Sequence, residues 1–444
     1  MTAPGTRTHA NGLLLTLSAN IAIAALGFAT GTAAARLLGP SGRGQLAAIQ
    51  IWPTFLASIA MIGMPEALVY SAAREPERSG RQLASGMLVA LMSGILFMAV
   101  GYVLIPILLQ AQPVATVAAA RWYLWLIPIS VSVGLPYHPL RGRAQFGLWN
   151  CMRMAPGLGW LAILAIAASL HRSDPTFLAR TYLWFMLFLT IPVLLVAKGS
   201  IPGPYWPDLK TAFTMVRYGL PCMFSSISQM FNLRLDQMIM AGLLPARDLG
   251  LYVAAVAWSN MVLPITNALG SVLCPRVASA CETSHRSLVF REGIGLAVCT
   301  CCGAAIFISI NTRWAFPWVF GSGFSQAIPA TYVLIAAAAV CGFNVVLEEG
   351  LRGLGRPDAV FRAELVGVAA TVILLASLLK PFGILGAAIA SLGAYSIVGL
   401  VLTIQAAQAV ECSSWRLLRP NGRELYMNYC RAMSYLTTVA GSQE

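Results

Sequence analysis

Charge is scarce in this sequence. Only 10% of the 444 residues are Asp, Glu, Lys or Arg, where a soluble chain of this length carries about a quarter. Lysine and acid are the poorest classes: 3 Lys, 5 Asp and 11 Glu stand against 26 Arg. Long polar loops are also missing; the longest polar segments are roughly 198–211, 275–287 and 411–444. The ten cysteines do not form a paired Cys-x-x-Cys pattern with flanking His, and most lie in apolar blocks such as "VCTCCGAA" around Cys299, Cys301 and Cys302. Free Cys in such surroundings behaves as a small hydrophobe, so no metal site is expected. "GPSGRG" (39–44) lacks Walker spacing and a Lys-Ser/Thr end, so it reads as a tight external turn and no nucleotide-binding domain is expected. No cofactor is expected either.

What is present in quantity is apolar. Hydrophobic residues make up 58% of the chain, with a mean hydropathy of +0.74. They come in blocks of about 20, the length that crosses a bilayer as a helix. Spanning β-barrels alternate polar and apolar residues instead. The fold class is therefore all-α and polytopic, with about twelve transmembrane helices. The expected spans are 13–35, 45–70, 83–108, 117–139, 146–169, 177–197, 212–244, 248–273, 288–311, 326–349, 361–379 and 384–408. "MTAPGTRTHANG" lacks the layout of a cleaved signal, so the first run reads as a retained helix.

The basic residues orient these spans. With the N-terminus inside, 20 Arg and Lys fall on the cytoplasmic side and 8 outside, Arg36 and Arg43 among the latter. That bias places both termini in the cytoplasm and accounts for most of the +13 net charge without a nucleic-acid partner. Arg234 alone is left inside a span. Arg could serve an anionic diphosphate headgroup, which it binds bidentately, or its excess over Lys could reflect codon bias; composition leaves both open. The tail 411–444 mixes Arg with Trp, Tyr and Leu, which suits the inner leaflet surface or a partly ordered end.

The halves echo one another. "LLGPSGRGQLAAIQIW" (37–52) and "LLPARDLGLYVAAVAW" (243–258) are offset by 206 residues. Leu37, Leu38, Gly44, Ala48 and Trp52 fall on Leu243, Leu244, Gly250, Ala254 and Trp258. "LRGRAQF" and "LRGLGRP" form a second echo. A six-plus-six division follows, with a cytoplasmic N-terminus at 1–12, lobes at 13–198 and 212–408, a linker at 199–211 and a basic tail at 409–444. Repeats of like topology are related by an axis along the membrane normal.

Few polar residues interrupt the spans, and these are the candidate sites. In the seventh span Ser225, Gln229, Asn232 and Asp236 are spaced i, i+4, i+7 and i+11, one helical stripe. Arg234 is two positions from Asp236 and points away from it, so each needs its own partner or a watery space. Intramembrane ionisable groups usually face a pathway, although an interhelical structural pair is the plainer alternative. The eighth span repeats the spacing with Asn260, Pro264, Asn267 and Ser271, for cavity contacts or for interhelical hydrogen bonds. Asn11, Ser18 and Asn20 in the first span form a weaker set. Glu66, Glu348 and Glu349 lie near cytoplasmic span ends, and Glu348 is four residues from Arg352, a local pair.

"RLLGPSGRGQLA", "RLDQMIMAGLLPARDLGLYVAA" (234–255), "LRGLGRP" (351–357) and "PFGILGAAIASLGAYSI" (381–397) together resemble motifs of bacterial polysaccharide and O-antigen flippases. These belong to the multidrug/oligosaccharidyl-lipid/polysaccharide exporter superfamily. The resemblance implies two six-helix lobes around a central cavity in the bacterial cytoplasmic membrane. It further implies alternating access that carries a polyprenyl-diphosphate-linked oligosaccharide across the bilayer, coupled to H+ or Na+. The substrate would come from, and return to, other membrane proteins of polysaccharide assembly. By position Asp236 matches the family's buried Asp, a candidate for cation coupling, and Arg234 matches a frequently basic neighbour that would attract the anionic group. Gln229, Asn232, Asn260 and Asn267 would meet sugar hydroxyls. The alternatives are a multidrug or organic-cation antiporter of the same superfamily, whose cavity should be more acidic, and a membrane enzyme of polysaccharide assembly, which should carry a larger external loop. The chain is thus expected to transport and not to catalyse.

Overall fold

The computed structural model describes residues 5–279 and 283–410, and every regular element in them is a helix. The tail at 411–444 lies outside the described residues, as do the side chains of residues 5–14. The α-helices are α1 (Gly5–Ala60), α2 (Met64–Arg74), α3 (Ser79–Leu108), α4 (Val114–Tyr123), α5 (Leu126–Gly134), α6 (His138–Gly142) and α7 (Phe146–Ser169). They continue with α8 (Pro175–Ser200), α9 (Leu209–Leu243), α10 (Ala246–Ser259), α11 (Leu263–Ser279), α12 (Thr283–Phe320), α13 (Ile328–Gly353) and α14 (Pro357–Ala409).

Among the described residues, nine helical segments are long and apolar enough to cross a bilayer. Two of them are far too long for one crossing. The 57 residues Ser18–Arg74 would make about 86 Å of helix against a core of about 30 Å. Glycines divide both. Gly39 (φ 65°) and Gly383 (φ 55°) adopt the left-handed region inside α1 and α14, where a Cβ would be strained. Pro40 then opens the next helical stretch, the position its fixed φ suits. "GPSGRG" is therefore not a loop: one non-helical glycine makes the break, and Ser41–Gly44 are already helical. The second expected span is broken as well, at Ile62 and Gly63, both with positive φ. This break sits against α9: a Cβ on Gly219 would lie 2.6 Å from the Ile62 carbonyl oxygen.

Packing separates two units. The first runs from α1 to Ala257 and takes in Phe316–Ala327; the second holds Trp258–Ala315 and the residues from Ile328. The first has a core built from Leu46, Ile49, Met64, Leu68, Tyr123 and Leu135. The second is centred on Phe290, Ile294, Leu347, Leu351 and Leu402. Much apolar surface stays uncovered. The most apolar 18-residue window of Pro76–Leu108 has mean hydropathy 2.5, yet only 28% of it is buried. Met92, Ile95, Leu96, Val103 and Ile107 are exposed there. A face of that size is covered by something, and in a chain of this composition it is lipid. The molecule is a multi-pass membrane protein.

The tightest approach in the first unit joins the two echoed motifs. A Cβ on Gly44 would overlap the carbonyl of Ala246 and stand 2.8 Å from the Gly250 nitrogen. A Cβ on Gly250 would overlap the carbonyl of Pro40 and stand 2.8 Å from the Gly44 nitrogen. Pro40 and Ala246 are themselves offset by 206. The contact is reciprocal, i with j and j with i, the pattern a two-fold axis generates. The contact thus joins equivalent positions of the two echoed motifs. Backbone cannot yield as a flexible side chain can, so Gly44→Ala and Gly250→Ala should each destabilise by about 1–3 kcal/mol or more. Gly303→Ala, where a Cβ meets nothing within 4 Å, should be neutral or stabilising by up to about 1 kcal/mol. Melting of the purified protein in detergent checks this; equal behaviour of the three variants would refute the reading.

Candidate functional site

α9 starts outside the membrane segment, capped by Asp208. Its carboxylate accepts hydrogen bonds from Thr211 Oγ1 (2.7 Å) and Thr211 N–H (2.9 Å). Those bonds hold its carboxyl below the ordinary 3.8. Further along α9 the two intramembrane charges separate. Asp236 is buried and Arg234 is exposed within the unit. Asp236 Oδ2 accepts a 2.5 Å hydrogen bond from Tyr252 Oη on α10, and Oδ1 accepts one of 2.7 Å from Gln237 N–H. Tyr252 is itself fully buried. The carboxylate therefore clamps α9 to α10 from the inside.

Arg234 has a different neighbour. The half-buried Arg43, one residue before the Gly44 contact, lies within its electrostatic reach. Asp236 is within reach of Arg234 too. Among the described residues neither guanidinium makes a hydrogen bond or an ion pair. Two like charges from α1 and α9 thus lie within electrostatic reach of one another, the carboxylate beside Arg234 is already engaged by Tyr252, and the three groups sum to one positive charge in excess. Such a place attracts an anion, and two guanidinium forks match phosphate oxygens geometrically.

The remaining candidates are scattered over the helices. The side chains of Ser225, Gln229 and Asn232 lie outside the described residues. Asn260, Pro264, Asn267 and Ser271 all lie on exposed positions of the second unit, although a 3-10 turn at Asn260–Val262 interrupts the helix there. Asn20 accepts a 3.1 Å hydrogen bond from Arg153 Nη2, and Arg153 also donates to Asn150 Oδ1 at 3.2 Å. These bonds tie α1 to α7. Glu66 is exposed on α2, within electrostatic reach of Tyr218 and Cys222 of α9. In the second unit the buried Glu348 pairs with Arg352 at 3.4 Å, as its spacing suggests, and Arg352 also pairs with Glu349. Glu348 also lies within electrostatic reach of Glu364 of α14.

Three residues of these constellations are not among the sequence candidates. Arg43 counts there as an external-loop residue, Tyr252 appears only within the "GLYVAA" motif, and Glu364 carries no pattern. The repeat holds the one signal that could have found Arg43 and Tyr252: both flank the aligned glycines, at Gly44 and Gly250.

A membrane-spanning, all-helical chain of this kind defines the class as a polytopic membrane protein. The family described as "Polysaccharide biosynthesis protein" matches residues 10–280, and the chain belongs to it. It is 25% identical over 194 residues to the "Probable low-salt glycan biosynthesis flippase Agl15" of Haloferax volcanii, a match covering 43% of this chain and 41% of that protein. It is 27% identical over 173 residues to the "EPS I polysaccharide export inner membrane protein EpsE" of Ralstonia solanacearum, covering 37% and 38%. The chain thus spans about two-fifths of the length of the curated relatives it matches. Its fold is that of the lipid II flippase MurJ in an inward closed conformation (TM-score 0.72, 14% identity, 95% of this chain and 93% of that one). An inward-facing multidrug resistance MATE family transporter shares it (TM-score 0.70, 15% identity, 87% and 94%).

Removing Tyr252 Oη would leave a buried carboxylate short of a donor, at a cost of about 1–3 kcal/mol. Tyr252→Phe should therefore melt earlier in detergent than Asp236→Asn, whose amide oxygen still accepts the bond. The double variant should be more stable than the sum of the singles predicts. Strict additivity would dismiss the clamp.

Proposed function

We propose that the chain is a flippase for polyprenyl-diphosphate-linked oligosaccharide, working by alternating access in the cytoplasmic membrane with both termini inside. Twelve crossings follow if the long segments are divided at Gly39 and Gly383 and α9 is counted. The observation that carries the reading is the Arg43–Arg234 pair beside a pre-engaged carboxylate. A diphosphate has the charge and the oxygen geometry to bridge two guanidiniums, while its lipid tail stays in the bilayer. Membership in a polysaccharide biosynthesis family supports this substrate class, as do the flippase and export names of the two relatives.

In this reading Asp236 is a positioning residue. It holds α9 against α10 through Tyr252 and moderates the repulsion between the two arginines. Cation coupling falls to a different place, the buried Glu348, which has Glu364 of a neighbouring helix within electrostatic reach. The exposed amides Asn260 and Asn267 would contact sugar hydroxyls. An organic-cation exporter would need the opposite sign of charge at the locus; drug-susceptibility profiles unchanged on deletion of the protein exclude it.

Vesicle transport of a labelled lipid-linked oligosaccharide tests the proposal. Loss of one charge-assisted pair is worth about 1.5–3 kcal/mol, or roughly ten- to a hundredfold. Arg43→Gln and Arg234→Gln should each lower transport by that factor at normal membrane abundance, and the Lys variants should retain more. Full transport by both Gln variants would remove the proposal. Glu348→Gln should weaken the dependence of transport on an imposed pH gradient without abolishing substrate binding.

A further inference from the structure

The first unit contains a second charged site, remote in sequence from Arg43 and Arg234. A cavity of about 670 Å³ opens between the end of α2, the start of α3 and the first turns of α9. That volume is within the range of small-ligand sites. Arg74, Arg78, Arg81 and Lys210 line it together with Glu75 and Asp208, leaving two positive charges in excess. The acids are already committed. Glu75 pairs with Arg78 at 3.2 Å, and Asp208 caps α9 through Thr211. Arg74 is held in place, donating to Tyr70 Oη at 2.7 Å and lying over the same ring. Tyr70 in turn stacks on Tyr218 with centroids 4.4 Å apart. The Arg81 and Lys210 side chains make no hydrogen bond or ion pair among the described residues, and Arg81 lies within electrostatic reach of Asp208.

A buried amide adds a second and independent requirement. Gln82 lines the cavity and is only 5% exposed. Its Nε2 donates to the Ser71 carbonyl at 3.3 Å, but its Oε1 is buried with no hydrogen-bond partner. Buried acceptors of this kind are normally satisfied. The cations ask for an anion; Gln82 Oε1 asks for a donor. A zwitterion would meet the amide but not the excess charge. A phosphate with a neighbouring hydroxyl meets both.

We propose that this cavity binds a phosphate ester bearing a free hydroxyl, the chemistry of a phosphatidylglycerol headgroup or of glycerol phosphate in solution. Arg74, Arg81 and Lys210 hold the phosphate, and Gln82 Oε1 accepts from the hydroxyl. Basic pockets between membrane helices hold anionic headgroups by this physics. The site does not depend on the transport reading, since none of its residues belongs to the Arg43–Arg234 locus.

The test uses full-length protein in phosphatidylcholine nanodiscs, with lipid retention read by native mass spectrometry. Phosphatidylglycerol should be retained about tenfold over phosphatidylcholine, and Arg74→Gln/Arg81→Gln should remove that preference. Gln82→Met should keep the preference for anions but lose the preference for phosphatidylglycerol over phosphatidic acid, which lacks the hydroxyl. Melting in phosphatidylcholine checks that each variant is folded. The exposed Lys210→Gln serves if the double variant is not, and should lower retention in the same direction. Saturable displacement of phosphatidylglycerol by sn-glycerol 1-phosphate assigns the occupant to solution. Retention without displacement assigns it to the bilayer, and both support the site. Equal retention of phosphatidylglycerol and phosphatidylcholine by the parent protein overturns it, as does unaltered retention by a folded Arg or Lys variant.

Discussion

The contact between Gly44 and Gly250 is the constraint on which the first unit depends. Inside a bilayer there is little hydrophobic drive to bring helices together, because lipid tails are as apolar as leucine. Close approach of backbones takes over that role, and only glycine allows it here. Each glycine faces the carbonyl of the other's repeat, Ala246 for Gly44 and Pro40 for Gly250. The pair is thus both a packing contact and a join between equivalent positions of the two echoed motifs. Its consequences are local and specific. Arg43 precedes Gly44 directly, and Tyr252 follows Gly250 by two residues. The position of the α1 guanidinium and of the phenol that engages Asp236 is therefore fixed by the same approach.

Charge in this molecule is used sparingly and asymmetrically. The first unit puts Arg234 within reach of both Arg43 and Asp236, with the acid already hydrogen-bonded to Tyr252. The second unit gathers acid instead: Glu348, Glu349 and Glu364 around Arg352. Ionisable groups in membrane segments are costly, about 2.5–3.5 kcal/mol each on insertion scales, so neither grouping is incidental. They also ask for different things. The cationic locus suits a multivalent anion, while the second unit sets Glu348 and Glu349 against one guanidinium.

The fold class was legible because membrane insertion leaves few options: long apolar blocks with no polar alternation can only be helices. The reciprocal glycine contact falls on one of the five identities at the 206-residue offset. Turns were read less well. "GPSGRG" has the composition of a loop, but a single left-handed Gly39 followed by Pro40 breaks the helix with no loop residues at all. Arg43 was lost with it, since counting basic residues by side assigns every loop arginine to a surface. Asp236 stood out because an acid in an apolar run needs a partner or a watery space. Its partner was not, because a tyrosine in a membrane helix is common and only proximity distinguishes Tyr252. Glu364 and Glu348 come from different helices, and nothing in linear spacing joins them.

The same accounting explains the cavity beside α2. Arg74, Arg78, Arg81 and Lys210 are ordinary members of a positive-inside count, and as orientation signals their exact placement would not matter. Their surroundings show that placement does matter. Arg74 is locked to Tyr70, itself stacked on Tyr218; Gln82 is buried to the point of losing an acceptor's partner; and Asp208 is committed to a helix cap. Orientation signals need only be on the correct side of a membrane. Residues fixed by stacking, with a buried amide between them, have a defined geometry, and that geometry is what separates a binding site from a charge bias.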